Sequence, residues 1–473
     1  MAKAHPQSPA VLREFDGAIL GDQRRNARLG KIVRRLVKKP GAGFPRALAE
    51  DADLEGFYRF VRNPEVTFEA LLAPHARATV GRLAGRGDVL AVHDTTEFRF
   101  GGVRQGLGVL GTSGHGFLGH CTLAVSADGE RHPLGMLAVE AWARQRPTAT
   151  ALRRRKQLSY AATRDLPTEQ DRWLRGVDAA EATVGDAASL IHVMDSEADD
   201  YALMAALVAA QRRWVIRLCY DRVLKSEFAR PHPKTREFIA RCPVLATRTV
   251  ALARRRRQPG GAKDKRRRVR RERQATLAIS AGTVEFRRPS YCQAGQATLS
   301  VNVVAVREVD PPPDDDPIEW LLLTTEPIGS REQVLQVIEY YRGRWVIEEF
   351  FKALKTGCAF EKRQLESRAA LLIALGLFVP IAWNLLRLRT LARTADTTPA
   401  RAVLTALELE VLRRAAKPKL PPRPTARAAL LAIARLAGHR AVNGEPGWQL
   451  LGRGYQDLLM MTAGYQLAQR GEK

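Results

Sequence analysis

Four polar side chains along Tyr341–Lys355 (YRGRWVIEEFFKALK) offer a definite chemistry. The run has no proline, one glycine and mostly good helix formers, and it lies in a longer helical pattern over about 331–354. At about 100° per residue, Tyr341, Arg344, Glu348 and Lys355 fall at roughly 0°, 300°, 340° and 320°, a stripe roughly 60° wide. Ile347, Phe351 and Leu354 fall at roughly 220–280°, an adjoining apolar stripe suited to docking on a sheet. One edge of the helix then presents a phenol, a guanidinium, a carboxylate and an ammonium in register. That set suits phosphate chemistry: the carboxylate can hold a divalent cation, and Arg, Lys and Tyr can bind phosphate oxygens. The same spacing also describes a solvated amphipathic helix with surface charge pairs. A metal site needs further carboxylates, which must come from other elements.

Two elements supply candidates. Asp88–Thr96 (DVLAVHDTT) is an apolar run ending in Asp94, and Ser189–Asp195 (SLIHVMD) is another ending in Asp195. Both runs predict strands, and α/β proteins build sites at the carboxyl ends of such strands. An Asp in that position equally serves a turn or a helix N-cap. Further strands are expected over 116–125 and 133–141, joined by Ala127-Asp128-Gly129, and over 213–219 and 318–325. Helices are expected over 148–160, 170–187 and 198–210. Residues 225–318 read as irregular and strand-like, with a linker at Pro311-Pro312-Pro313 and Asp314–Asp316. They contain the dense run Arg254–Arg273 (RRRRQPGGAKDKRRRVRRER), expected to be a basic hairpin tip or loop touching phosphates, or alternatively a disordered excursion.

The flanks read as helical. Within residues 1–75, a basic amphipathic helix carries Arg24, Arg25 and Arg28, and Leu54–Asn63 carries Arg59 and Arg62. The pair reads as a small helical DNA-binding unit, or as a solvated basic face. An apolar helix is expected over 368–390. Its run Ala369–Trp383 is short for a membrane span and contains Pro380, which argues for a buried core helix. The tail from about 395 is helical with a break at Pro418–Pro424. Its last piece, Trp448–Ala468, suits either dimerisation or packing on its own domain.

Composition narrows the class. The chain has 473 residues and a net charge of +26, which points to a polyanionic partner, with nucleic acid first. A hydrophobic content of 45% supports a sizeable core. The five cysteines show no paired spacing, so a zinc ribbon or disulfide framework is not expected, and reduced thiols in a cytoplasmic protein are. The N-terminus has no apolar signal segment.

Asp94, Asp195 and Glu348 together form a DDE set, and Tyr341, Arg344, Glu348 and Lys355 fit Y-x2-R-x3-E-x6-K. With YRGRWVIEEFFKALKTG, LGDQRRNARL, GFYRFVRNPEV, AVHDTTEFRF, VMDSEADDY, WLLLTTEP and IARLAGHRA in order, the chain resembles the DDE transposases of the insertion-sequence-four family. Within that family it resembles the type carried by transposon Tn-five. The resemblance covers nearly the full chain. It implies an α/β fold: an RNase H-like catalytic core with a β-rich insertion, flanked by helical N-terminal and C-terminal domains. The expected divisions are 1–75 for DNA binding, 76–225 and 319–390 for the core, 226–318 for the insertion and 391–473 for dimerisation.

The resemblance also implies site roles. Asp94, Asp195 and Glu348 would hold two Mg²⁺ ions, with Mn²⁺ able to substitute. Tyr341, Arg344 and Lys355 would bind phosphates beside the scissile bond, Trp320 would stack a flipped base, and Lys352 and Arg217 would add DNA contacts. The implied activity is cut-and-paste transposition. Terminal inverted repeats are bound by a homodimer and cleaved through a DNA hairpin, and the 3′-hydroxyls are joined to target DNA. The implied location is the bacterial cytoplasm, on the nucleoid when DNA-bound and not at a membrane. One departure is Ser196, where the family commonly has Arg directly after the second Asp. The other readings are a catalytically silent DNA-binding regulator and an RNase H-like nuclease.

Overall fold

The computed structural model describes residues 10–102, 104–111, 114–144, 168–226, 232–252, 271–292, 295–313, 315–393 and 397–471. The helix expected over 148–160 and all but the last three residues of the Arg254–Arg273 run lie outside the described residues. The strands are β1 Asp88–Phe100, β2 Gly108–Leu110, β3 Gly114–Ser126, β4 Pro133–Trp142, β5 Ser189–Met194, β6 Arg213–Arg217, β7 Val244–Leu252, β8 Arg273–Arg287, β9 Thr298–Glu308 and β10 Glu319–Thr324. They form a 10-stranded sheet in the order β2-β3-β1-β5-β6-β10-β9-β8-β7, with β4 also on β3.

The centre of this sheet is parallel, β1 with β5 and β5 with β6, and its other pairings are antiparallel. Central parallel strands are covered on both faces, so they read as continuous apolar runs. In β1, Leu90 and Val92 face one core, and Val89 and Ala91 face another. The segment expected as an insertion, 226–318, supplies β7, β8 and β9, which extend this same sheet through β10.

The strand expected to end at Asp94 does not end there. Parallel pairing of β1 with β5 stops at Val92↔Val193, but β1 continues to Phe100 as an antiparallel ribbon with β3. Asp94 therefore sits within a strand, at the level where the parallel pairing gives out. Asp195 is the first residue past β5. The ribbon depends on close approach at Gly116, where a Cβ would collide with the Phe98 carbonyl. Gly116→Ala should cost about 1–3 kcal/mol, read as a lower urea midpoint with unchanged slope.

The single helix expected over 331–354 is also revised. A helix over Arg331–Gly343, capped by Ser330 with Gln333 reciprocating, gives way at Arg344 to a second over Trp345–Lys352, then to a π turn over Ala353–Gly357. Gly343 seats this junction on β1, since a Cβ there would meet Leu90 Cδ1 at 2.5 Å. Breaks at glycine and at π turns are ordinary for helices. Arg368–Arg393 is the one described helix long and apolar enough to cross a membrane, and 89% of its apolar window is buried inside the fold. It packs on the Phe68–Leu83 helix, β4 and the Ala426–Leu436 helix, tying the N-terminal and C-terminal helices to the sheet.

Candidate active site

Asp94 comes from β1, Asp195 from the end of β5 and Glu348 from the Trp345–Lys352 helix. Arg344, buried at the helix junction, joins two of them. Its Nη1 lies 3.4 Å from Asp94 Oδ2 and its Nη2 donates to Glu348 Oε1 at 2.7 Å. Asp94 Oδ1 accepts the Thr95 N–H at 2.7 Å. Asp195 Oδ1 accepts the Glu197 N–H at 2.8 Å and caps the short turn Ser196–Ala198. The cap role and a place in the site thus coexist at Asp195.

The electrostatics tie the three carboxylates together. Burial first, then the charges of Asp195 and Glu348, push the Asp94 carboxyl up to about 7, against the pull of Arg344 and the Thr95 N–H. Among the described residues, no three His, Cys, Asp or Glu side chains are already gathered tightly enough to hold a metal ion, and Arg344 lies between Asp94 and Glu348. The donor set nonetheless fits a hard divalent cation: three carboxylates with oxygen donors, one of them pushed toward its neutral form by burial and by the neighbouring carboxylate charges.

The remaining side chains of the motif are placed less simply than the helical wheel implies. Tyr341 is 2% exposed and packs edge-on against Trp320, ring centroids 5.4 Å apart. It is a wall of the site, and burial pushes its phenol pKa up. It is therefore not the exposed edge residue expected from the spacing, because the junction at Gly343 presses this turn onto the sheet. Trp320, in β10, is half-buried. Arg217, in β6 opposite Leu322 of β10, donates to the Glu319 carbonyl at 3.3 Å and lies near enough to Tyr341 to act on its phenol. Lys355, carried by the π turn, donates to the Glu97 carbonyl at 2.6 Å and stands over the Phe98 ring, 5.5 Å from its centroid. Its burial lowers the ammonium pKa. Lys352 bonds to Glu349 at 2.8 Å and to none of the three carboxylates.

A second candidate surface lies in the N-terminal helices. Arg24, Arg25, Arg28 and Arg59 line one groove of about 370 Å³ between the Gln23–Lys38 and Asp51–Arg62 helices, with Phe60 and Asn63. Arg62 is not gathered there; it donates to Glu366 at 2.9 Å, ahead of the long apolar helix. Part of the basic face is spoken for internally. The buried Asp53 takes Lys31, Arg35 at 3.2 Å and, more distantly, Arg28 at 3.9 Å.

Residue types alone did not reveal a polar layer beneath the carboxylates. His93 Nε2 and His192 Nδ1 are 2.9 Å apart, and His192 Nε2 is 2.9 Å from Glu181 Oε1. Thr95 Oγ1 shares a hydrogen bond with His120 Nδ1 at 3.0 Å and accepts another from Arg172 at 2.9 Å. Burial lowers all three imidazole pKa values, that of His120 to about 3, so they stay neutral. The available signal was strand alternation: His93 directly precedes Asp94 and so points to the opposite face of β1.

Comparison with known proteins adds two domains. A family model described as transposase DNA-binding matches residues 8–66, and one described as transposase DDE domain matches residues 168–385. The first span contains Arg24, Arg25, Arg28, Arg59 and Arg62; the second contains Asp195 and Glu348 and begins after Asp94. Among solved structures, the chain is similar to a piggyBac transposase synaptic complex with hairpin DNA. The identity is 10%, over 78% of this chain and 67% of that one, with a TM-score of 0.34. A superposition that loose bears on neither activity nor mechanism. The two domain matches make this a chain with transposase DNA-binding and DDE domains.

Proposed function

We propose that this chain, with a transposase DNA-binding domain ahead of a transposase DDE domain, is a cut-and-paste DNA transposase of the insertion-sequence-four type. The observation that carries the reading is the proximity of Asp94 to Asp195 and Glu348, whose charges act on its carboxyl, with Arg344 paired to both Asp94 and Glu348. The catalytic core around these residues is RNase H-like, and Asp94, Asp195 and Glu348 are the residues that would hold Mg²⁺. Two such ions would supply Lewis-acid activation of a water or 3′-hydroxyl and of the leaving oxygen.

The chain's own residues do the rest. Arg344 can exchange a carboxylate partner for a phosphate oxygen beside the scissile bond, and Lys355 can do so from the neighbouring turn. Tyr341 packs edge-on against the Trp320 ring. Trp320 offers that ring to an unpaired base, which the proposed hairpin intermediate requires. The groove lined by Arg24, Arg25, Arg28 and Arg59 holds the backbone of the element's terminal repeat. The Trp448–Gly471 helix, with Met460, Met461 and Leu467 exposed, serves as the contact between two copies on paired ends.

A linear duplex carrying the flanking element end, incubated with protein and Mg²⁺, tests the reading. Trp320→Ala should keep the first nick and lose the hairpin product on a denaturing gel; hairpin at the wild-type yield contradicts the role of Trp320. Arg24→Ala with Arg59→Ala should weaken end binding at low salt and lower the slope of log K against log salt by about 0.9 for each phosphate no longer neutralised. An unchanged slope places those arginines off the DNA.

A further inference from the structure

Asp94 and Asp195 repel each other, and the ladder between their strands has already stopped at Val92↔Val193. The β1–β5 pairing itself therefore does not reach the two carboxylates, and side-chain contacts can set their separation. The Arg172–Val184 helix lies across this point. Gly176 lets it settle: a Cβ there would lie 2.6 Å from His120 Nε2 and 3.2 Å from His93 Nδ1. That close approach delivers Arg172, 8% exposed, between the two segments.

The Arg172 guanidinium is used on three sides. Nε donates to Thr95 Oγ1 at 2.9 Å, on the residue after Asp94. Nη2 donates to Glu197 Oε2 at 2.9 Å, on the residue whose N–H holds Asp195 Oδ1. Nη1 donates to the Glu169 carbonyl at 2.7 Å, fixing the fork to its own segment. From the same segment, Gln170 Nε2 donates to the Glu197 carbonyl at 2.7 Å. We propose that Arg172 is a positioning residue that sets the separation and aim of Asp94 and Asp195, and through them the divalent-cation affinity of the pair and the rate of DNA cleavage. This rests on the transposase reading above. A planar fork serves two segments at once, and a lysine ammonium cannot reproduce it. Groups that orient metal ligands in this way typically alter affinity or activity by about 10–100-fold.

The test uses the full chain, with free Mn²⁺ followed by electron paramagnetic resonance as it is titrated with protein. End-DNA affinity, urea midpoint and single-turnover cleavage are measured alongside. Arg172→Lys should weaken Mn²⁺ binding and slow cleavage by about tenfold or more, with end-DNA affinity near wild type and a urea midpoint lowered by the lost buried hydrogen bonds but still that of a folded protein. Glu197→Gln should shift both readouts the same way, and the double variant should fall short of the sum of the two because they share one linkage. Arg172→Lys that binds Mn²⁺ and cleaves like an active wild type overturns the positioning role alone. Should Arg172→Lys fail to fold, Thr95→Val, which removes one arm, decides: wild-type Mn²⁺ affinity in that variant overturns the role as well. A wild-type protein that neither takes up Mn²⁺ nor cleaves overturns the transposase reading itself, and the positioning role with it.

Discussion

Glu348→Ala should lower single-turnover cleavage of an element end by more than about 100-fold, since even outer-shell partners of metal ligands are worth about 10–100-fold. The loss should fall on the chemical step and spare end binding, because Glu348 lies apart from the arginine groove of the N-terminal helices. A second effect follows from the ion pairs. Arg344 loses its 2.7 Å partner and keeps Asp94 at 3.4 Å, so its charge is left to the remaining carboxylate. Losing Glu348 also takes one negative charge from beside Asp94, which offsets part of that loss, so the protein should stay folded with a modestly lower urea midpoint. Filter binding together with single-turnover cleavage separates the two steps; cleavage within about threefold of wild type would remove Glu348 from the site.

Asp94→Asn should do the opposite to stability. The Asp94 side chain is only 18% exposed, and its carboxyl titrates at about 7 instead of the ordinary 3.8 because of burial and the neighbouring charges of Asp195 and Glu348. The folded protein keeps a proton that the unfolded chain gives up above about pH 4. Folded stability therefore falls as pH rises from about 4 to about 7 and levels off beyond. A shift of this size corresponds to about 4 kcal/mol at most. Asparagine escapes that cost but gives up the charged bonds to Thr95 and Arg344, so a gain of about 2–3 kcal/mol at pH 8 is expected without divalent cation. The gain should vanish below about pH 4. Mg²⁺ should then raise the stability of the wild type at pH 8 more than that of the variant. Urea midpoints at pH 5 and pH 8, with and without Mg²⁺, check both signs. A wild type that loses nothing relative to Asp94→Asn between those pH values contradicts the raised Asp94 pKa.

The parts of the site legible in the sequence are those governed by local periodicity. Helical spacing put Arg344 and Glu348 one turn apart, and the structure joins them by an ion pair. The apolar runs before Asp94 and Asp195 marked two strands, which lie side by side in parallel. What escaped depends on contacts distant in the chain. The helix break at Arg344 arises where Gly343 meets Leu90, and no local propensity encodes that meeting. The continuation of β1 past Asp94 depends on pairing with β3, whose partner residues lie beyond a turn and a short strand. Tyr341 looked exposed on the wheel because burial is set by the sheet beneath it. Arg172 meets Thr95 across 77 residues and Glu197 across 25, and an arginine opening a helix carries no mark of either partner.

The most direct measurement is cleavage of a linear duplex bearing the flanking element end by purified wild-type protein, in Mg²⁺ and in EDTA. The expected result is release at the element end in Mg²⁺, none in EDTA and none with Asp94→Ala in either. End binding without cleavage in Mg²⁺, or cleavage that persists in EDTA or in Asp94→Ala, would contradict a metal-dependent transposase centred on Asp94, Asp195 and Glu348.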